Sequence, residues 1–135
     1  MSKTDKVLLS AITLIALLIL VGLIFSVSPR SEARRNRAKV VELLAKAHSA
    51  PQGASGVPRV TLGDGTELVP DRDQVIAGYI FKLHAKPTNF TIEAHPLRWG
   101  ETGTVSFFRD ETGVIRFDGS GHDANEKSRS WPTPF

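Results

Sequence analysis

A chain of 135 residues without cysteine has room for one small hydrophobic core, and it excludes both a disulfide framework and a thiolate metal centre. The formal net charge of +3 is unevenly placed. Arg30, Arg34, Arg35, Arg37 and Lys39 against Glu32 leave +4 in one short collar, while residues 40–135 carry ten basic and twelve acidic side chains, which excludes the basic face that a nucleic-acid-binding head requires.

In chain order, residues 1–6 form a short N-terminal tail with Lys3 and Lys6. Val7–Val27 follows, 21 residues without a charge. As a helix it would be about 31 Å long, the thickness of a bilayer's hydrocarbon core. Ser10, Thr13 and Ser26 interrupt the apolar run, and such hydroxyls can bond a carbonyl one turn back. The run is longer than a secretory signal's apolar region, and its nearest small-residue triplet, Ser26-Val27-Ser28, is followed by Pro29, so a retained single-pass anchor is expected. Close packing of such a span against others would use its small residues, Ser10, Ala11, Ala16 and Gly22. The collar, Arg30, Arg34, Arg35, Arg37 and Lys39, stands where lipid headgroups would be, the alternative being a solvated helix start. By the positive-inside rule alone the collar favours a cytoplasmic head.

Residues 28–50 read as a helix continuing the span, with Pro29 as a kink or cap and Val40, Leu43, Leu44 and Ala47 as one apolar stripe. Pro51, Gly53, Gly56 and Pro58 end it near Ala50. A loop region to Asp73 holds a short strand around Val57–Leu62 and a turn at Gly63-Asp64-Gly65. Strict alternation then predicts strands at Tyr79–His84, Asn89–His95, Thr104–Arg109 and Val114–Phe117. Short connections make these an antiparallel meander, and the striped helix is the one element able to cover its apolar face. The expected fold is α+β, a long N-terminal helix whose outer half lies across a sheet of about four strands in a head of residues 51–118. A polar, loose tail over 119–135 follows, tacked back by Trp131 and Phe135.

Gly78-Tyr79-Ile80-Phe81, then Asn89-Phe90-Thr91-Ile92-Glu93-Ala94 before Pro96, then Gly103-Thr104 leading to Phe107-Phe108-Arg109-Asp110-Glu111-Thr112-Gly113-Val114-Ile115-Arg116, resembles a motif series of bacterial pilin-like proteins. Arg34–Leu44 is similar to the exposed half of their N-terminal helix. The resemblance to type IV pilins and type II secretion pseudopilins implies a subunit that assembles through its membrane helix, with its head periplasmic or extracellular and its anchor in the inner membrane. Its partners would be the membrane and other membrane-embedded subunits. The chain departs from the family where typical prepilins have a Gly before the apolar run and a Glu five residues into it. Lys6-Val7 and Ala11 stand there instead, which keeps open a non-polymerising accessory subunit of a larger complex.

Little in the sequence points to catalysis. His48, His84, His95 and His122 form no ligand spacing, and there is no nucleotide loop or zincin helix, so an enzyme is not expected. Two acidic loops contain oxygen donors: Asp64, Glu67, Asp71 and Asp73, and then Asp118, Asp123, Asn125 and Glu126. Neither has EF-hand spacing. The family resemblance implies calcium for the second set, and a solvated acidic loop is the other reading. Adjacent Phe107 and Phe108 must point to opposite faces of a strand, so one ring is expected to be exposed or covered by a second layer, and an exposed ring would be a subunit contact.

Overall fold

The computed structural model describes residues 1–25, 29–50 and 56–132. Among these residues, two helices, α1 (Lys3–Phe25) and α2 (Pro29–Ala45), precede nine short strands, so the chain is α+β with a long apolar helix at its N-terminus. Residues 3–6 are not a tail but the first turn of α1. Ser2 Oγ accepts from the Asp5 amide at 3.2 Å and the Ser2 amide donates to Asp5 Oδ2 at 3.0 Å, a reciprocal cap that starts the helix early. Within α1, Thr13 Oγ1 donates to the Leu9 carbonyl at 2.8 Å. The expected end of the span at Ser26 and Val27, and Ser28 of the following helix, lie outside the described residues.

Helix α2 ends at Ala45, one turn before the expected stop near Ala50, and His48–Ala50 instead forms strand β1. The reason is tertiary. The last carbonyls of a helix need partners, and here the Gly63 amide donates to Leu43 O at 3.2 Å while Arg109 donates to the carbonyls of Leu44 and Ala47, the latter at 2.7 Å. A fixed cationic donor at the negative end of the helix makes this stop favourable.

β1 joins β2 (Arg59–Thr61) and β3 (Glu67–Leu68) in a three-stranded antiparallel sheet of order β1-β2-β3. The second sheet has six strands rather than about four: β4 (Gln74–Ile76), β5 (Tyr79–Ala85), β6 (Phe90–Pro96), β7 (Ser106–Asp110), β8 (Ile115–Asp118) and β9 (Arg129–Ser130), adjacent in chain order and all antiparallel. The four expected strands are its centre. The additional ones are two or three residues long, too short to show a period of their own. Between β4 and β5 the chain reverses in two residues, Ala77 (φ 51°) and Gly78 (φ 74°), a left-handed pair that matches the twist of a tight hairpin.

Alternation decides the core. Tyr79, Phe81 and Leu83 of β5 face Pro96, Ala94 and Ile92 of β6 in register, and all six are buried. Phe107 and Ile115 extend this row, and Val40, Leu43 and Leu44 of α2 close over it together with Val60, Leu62 and Leu68 from the smaller sheet region. Burying each Leu or Phe here contributes about 1.5–3 kcal/mol.

The segment 119–132 is ordered rather than loose. Ser106 Oγ, buried, donates to His122 O at 2.6 Å and accepts from the Ala124 amide at 2.8 Å; β9 pairs with β8; and the Trp131 amide donates to Ile115 O at 2.7 Å. Trp131 stands edge-on to Phe107 and Phe117, with centroids 5.3 and 5.1 Å away. Phe135 lies outside the described residues.

Candidate functional site

The candidate site begins with α1, an apolar helix that the described residues leave uncovered. Every described side chain along it is exposed, including Val7, Leu8, Leu9, Ile12, Leu14, Ile15 and Leu17–Leu20, and none of its apolar window is covered. It is long and apolar enough to cross a membrane. The four small residues do not share one stripe. At about 100° per residue, Ala11 and Gly22 are only some 20° apart around the axis, whereas Ala16 falls roughly 120–140° from both and Ser10 about 100° from Ala11. Ala11 and Gly22 therefore share one side, with Ile15 and Leu18 between them along it, and nothing lies within 4 Å of where a Gly22 Cβ would be.

The basic collar also divides. Arg30, Arg34, Arg35 and Lys39 are exposed, Lys39 is 3.7 Å from Glu42, and half-buried Arg37 holds its guanidinium 5.8 Å from the centroid of Trp131. Arg30, Arg34 and Arg37 line a notch of about 220 Å³ with Ala33, Gly100 and Thr104. The loop supplying Gly100 and Thr104 is held to α2 by Asn36 Nδ2, which donates to Thr102 O at 2.9 Å.

The oxygen donors proposed for calcium do not converge. Asp118 accepts from the amide and hydroxyl of Ser120 at 2.7 and 2.5 Å, Asp123 is 4.0 Å from His95, Asn125 Oδ1 caps the Lys127 amide at 2.9 Å, and Glu126 is exposed. Their oxygens serve tight turns and surface contacts instead. The Ser120 bonds hold the Asp118 carboxyl below the usual carboxylate range. The other acidic loop is dispersed too: Asp64 caps Thr66, Glu67 is 3.8 Å from Arg59, Asp73 is 3.4 Å from Lys82, and Asp71 is 3.3 Å from His84. Among the described residues, no three His, Asp or Glu side chains could share a metal ion.

One grouping not apparent in the sequence is Asp118, Ser120 and His122, where Ser120 Oγ is also 3.0 Å from His122 Nδ1. The hydroxyl sits between carboxylate and imidazole. Nucleophile activation needs the imidazole between the other two, so this chain of bonds is a turn rather than a triad.

Phe107 and Phe108 are both buried, so neither is the exposed ring expected as a subunit contact. Phe107 lies in the core; Phe108, on the opposite face, is 6 % exposed and in register with Glu93 and Arg116, whose stems stand beside it on that face.

Tyr79, the sole tyrosine, is fully buried and donates to Val105 O at 2.8 Å. Burial pushes its pKa up to about 12, against a smaller opposing pull from Arg37 and the Val105 bond. The folded value lies above the ordinary one near 10, so this group's contribution is intact below pH 10 and is lost as pH rises through 12. The full chain in detergent is expected to lose about 2–3 kcal/mol of stability over that range that a Tyr79→Phe variant does not lose. Phenolate absorbance against pH reads the same group directly, and a midpoint near 10 would contradict its burial. Compared with known protein families, characterised proteins and solved structures, the chain matches none of them.

Proposed function

We propose that this chain is a membrane-anchored, pilin-like structural subunit that assembles through α1, in a filament of the type IV pilus or type II secretion pseudopilus kind. In this reading the anchor lies in the inner membrane and the head is periplasmic or extracellular. The observation that carries it is the fully exposed apolar α1, followed in the chain by α2, whose apolar stripe packs on an antiparallel head. A span with no partner in its own chain gains from lipid, and then from other spans through close van der Waals packing.

Assembly is tested on the Ala11–Gly22 side. Gly22→Leu is expected to reduce recovery of the subunit in sheared filaments or detergent-purified complexes, while Ala16→Leu, on another side, has the smaller effect. Equal, wild-type recovery of both variants would remove this packing face.

Lys6 and Ala11, in place of the prepilin Gly and Glu, favour a second reading, an accessory single-pass subunit of fixed stoichiometry that never polymerises. Head location is tested with Thr112→Cys, since the chain has no other thiol and Thr112 is in the exposed turn between β7 and β8. A membrane-impermeant maleimide is expected to label it in cells whose outer membrane alone has been permeabilised. Protection until the inner membrane is broken would place the head in the cytoplasm, as the charge count favours.

A further inference from the structure

We propose that the notch formed by Arg30, Arg34 and Arg37 holds the phosphate of one anionic phospholipid, and that the adjoining Leu97-Arg98-Trp99 loop rests in the interface of the same bilayer. This rests on the membrane-anchor part of the reading above, and not on filament assembly.

Position comes first. Arg30 is three residues beyond Val27, the last residue of the uncharged run, so its Cα is at most about 11 Å from the end of that run whatever path the chain takes. The headgroup layer on each side of a bilayer is roughly 5–8 Å deep, and an arginine side chain spans the remainder. Arg34 and Arg37 follow at one-turn spacings on the same face of α2, and small Ala33 lines the notch with them. Asn36 ties the loop's Thr102 to this face, so Gly100 and Thr104 form the opposite wall.

Charge and polarity then match. Three arginines lining one opening give it the charge that suits a phosphodiester, which accepts paired N–H donors in a plane. The loop's own carboxylate, Glu101, is 3.4 Å from Arg98. On the same loop, Leu97 is 43 % and Trp99 40 % exposed, although most large apolar residues of the head are buried. A tryptophan beside an anchor, apolar in body and polar at its N–H, suits the level of the headgroups.

The test uses the full chain with Trp131→Phe, leaving Trp99 as the only tryptophan, in nanodiscs mixing phosphatidylcholine and phosphatidylglycerol. Bromine is placed on the acyl chains of one lipid or the other at equal total content. Trp99 emission is expected to be quenched, and more strongly when phosphatidylglycerol carries the bromine. Arg30→Gln with Arg34→Gln, which leaves Arg37 in place and is compared with the Trp131→Phe chain that is its parent, is expected to lower that preference on the order of 30-fold, about fivefold for each charge.

Incorporation into the discs with no quenching by either lipid overturns the proposal while leaving the anchor standing. Equal quenching by both lipids, unchanged in the double variant, places the loop at the interface but removes the headgroup site. If inorganic phosphate changes Trp99 emission in discs of phosphatidylcholine alone and abolishes the preference in mixed discs, the notch is a free-anion site and the lipid assignment is wrong. Failure of the chain to enter discs at all removes the anchor and this proposal with it.

Discussion

Replacing Arg109 by methionine is expected to lower the stability of the head by about 3 kcal/mol, although the substitution removes a charge from an apolar place. Arg109 is 8 % exposed, and burial lowers its pKa from the ordinary guanidinium value, with only Asp110 opposing the shift. Relief of that desolvation favours the variant. Against it stand two charge-assisted bonds, to the carbonyls of Leu44 and Ala47, worth roughly 1.5–3 kcal/mol each. Both carbonyls stay behind when the guanidinium goes, which is the costly way to break a buried pair. Nε has no partner among the described residues, and both bonds to the helix end run from Nη1. Lysine offers a point charge without the planar fork and is expected to recover less than half of the loss. Thermal unfolding of the full chain in detergent, followed by near-ultraviolet circular dichroism, reads the change as a fall of roughly 10–25 °C for a head of this size. A methionine variant melting within a few degrees of wild type would mean that α2 is not pinned by this residue.

Gly103→Ala is expected to be as damaging for an opposite reason, the addition of one methyl group. A Cβ there would stand 2.7 Å from Tyr79 Cζ and 2.8 Å from Cε2, distances that side-chain carbons do not adopt. The ring cannot step aside cheaply, because it is fully buried against Phe107, centroids 6.0 Å apart, with its hydroxyl tied to Val105 O. Overpacking costs about 1–3 kcal/mol. A displaced hydroxyl that leaves Val105 O unsatisfied adds about 1–3 more. The phenol gives an independent reading: in Gly103→Ala its titration is expected to move from about 12 towards 10 as the ring is pushed towards water. An unchanged titration with unchanged stability would show that the loop, rather than the ring, yields.

The legible parts of this fold were those with a long enough period. β5 and β6, at seven residues each, declare their buried face by alternation alone, and the Val40, Leu43, Leu44 stripe declares that of α2. The two- and three-residue strands β3, β4 and β9 carry no such signal; they exist because a neighbouring strand offers its hydrogen bonds. Arg109 was readable in principle. It has the parity of Phe107 and is in register with Ile92 and Ile115, a core-facing row, and an arginine in such a row announces buried acceptors. Those acceptors belong to the end of a helix some 65 residues earlier, which no local pattern reveals. The notch failed to show for the same reason: five basic residues looked like one collar until the loop at Gly100 and Thr104 selected three of them. Asp118, Asp123, Asn125 and Glu126 looked like ligands because turns and cation sites draw on the same oxygen-bearing residues, and only geometry separates the two uses.

Trp131 closes on Phe107 and Phe117 and stacks beneath Arg37, 94 residues earlier. During synthesis, therefore, α2 emerges with Val40, Leu43 and Leu44 uncovered long before the strands that bury them exist. The layer of Trp131 over Phe107 and Phe117 cannot form until Trp131 itself has emerged. Pairings this distant in sequence close slowly and leave apolar surface open while they do.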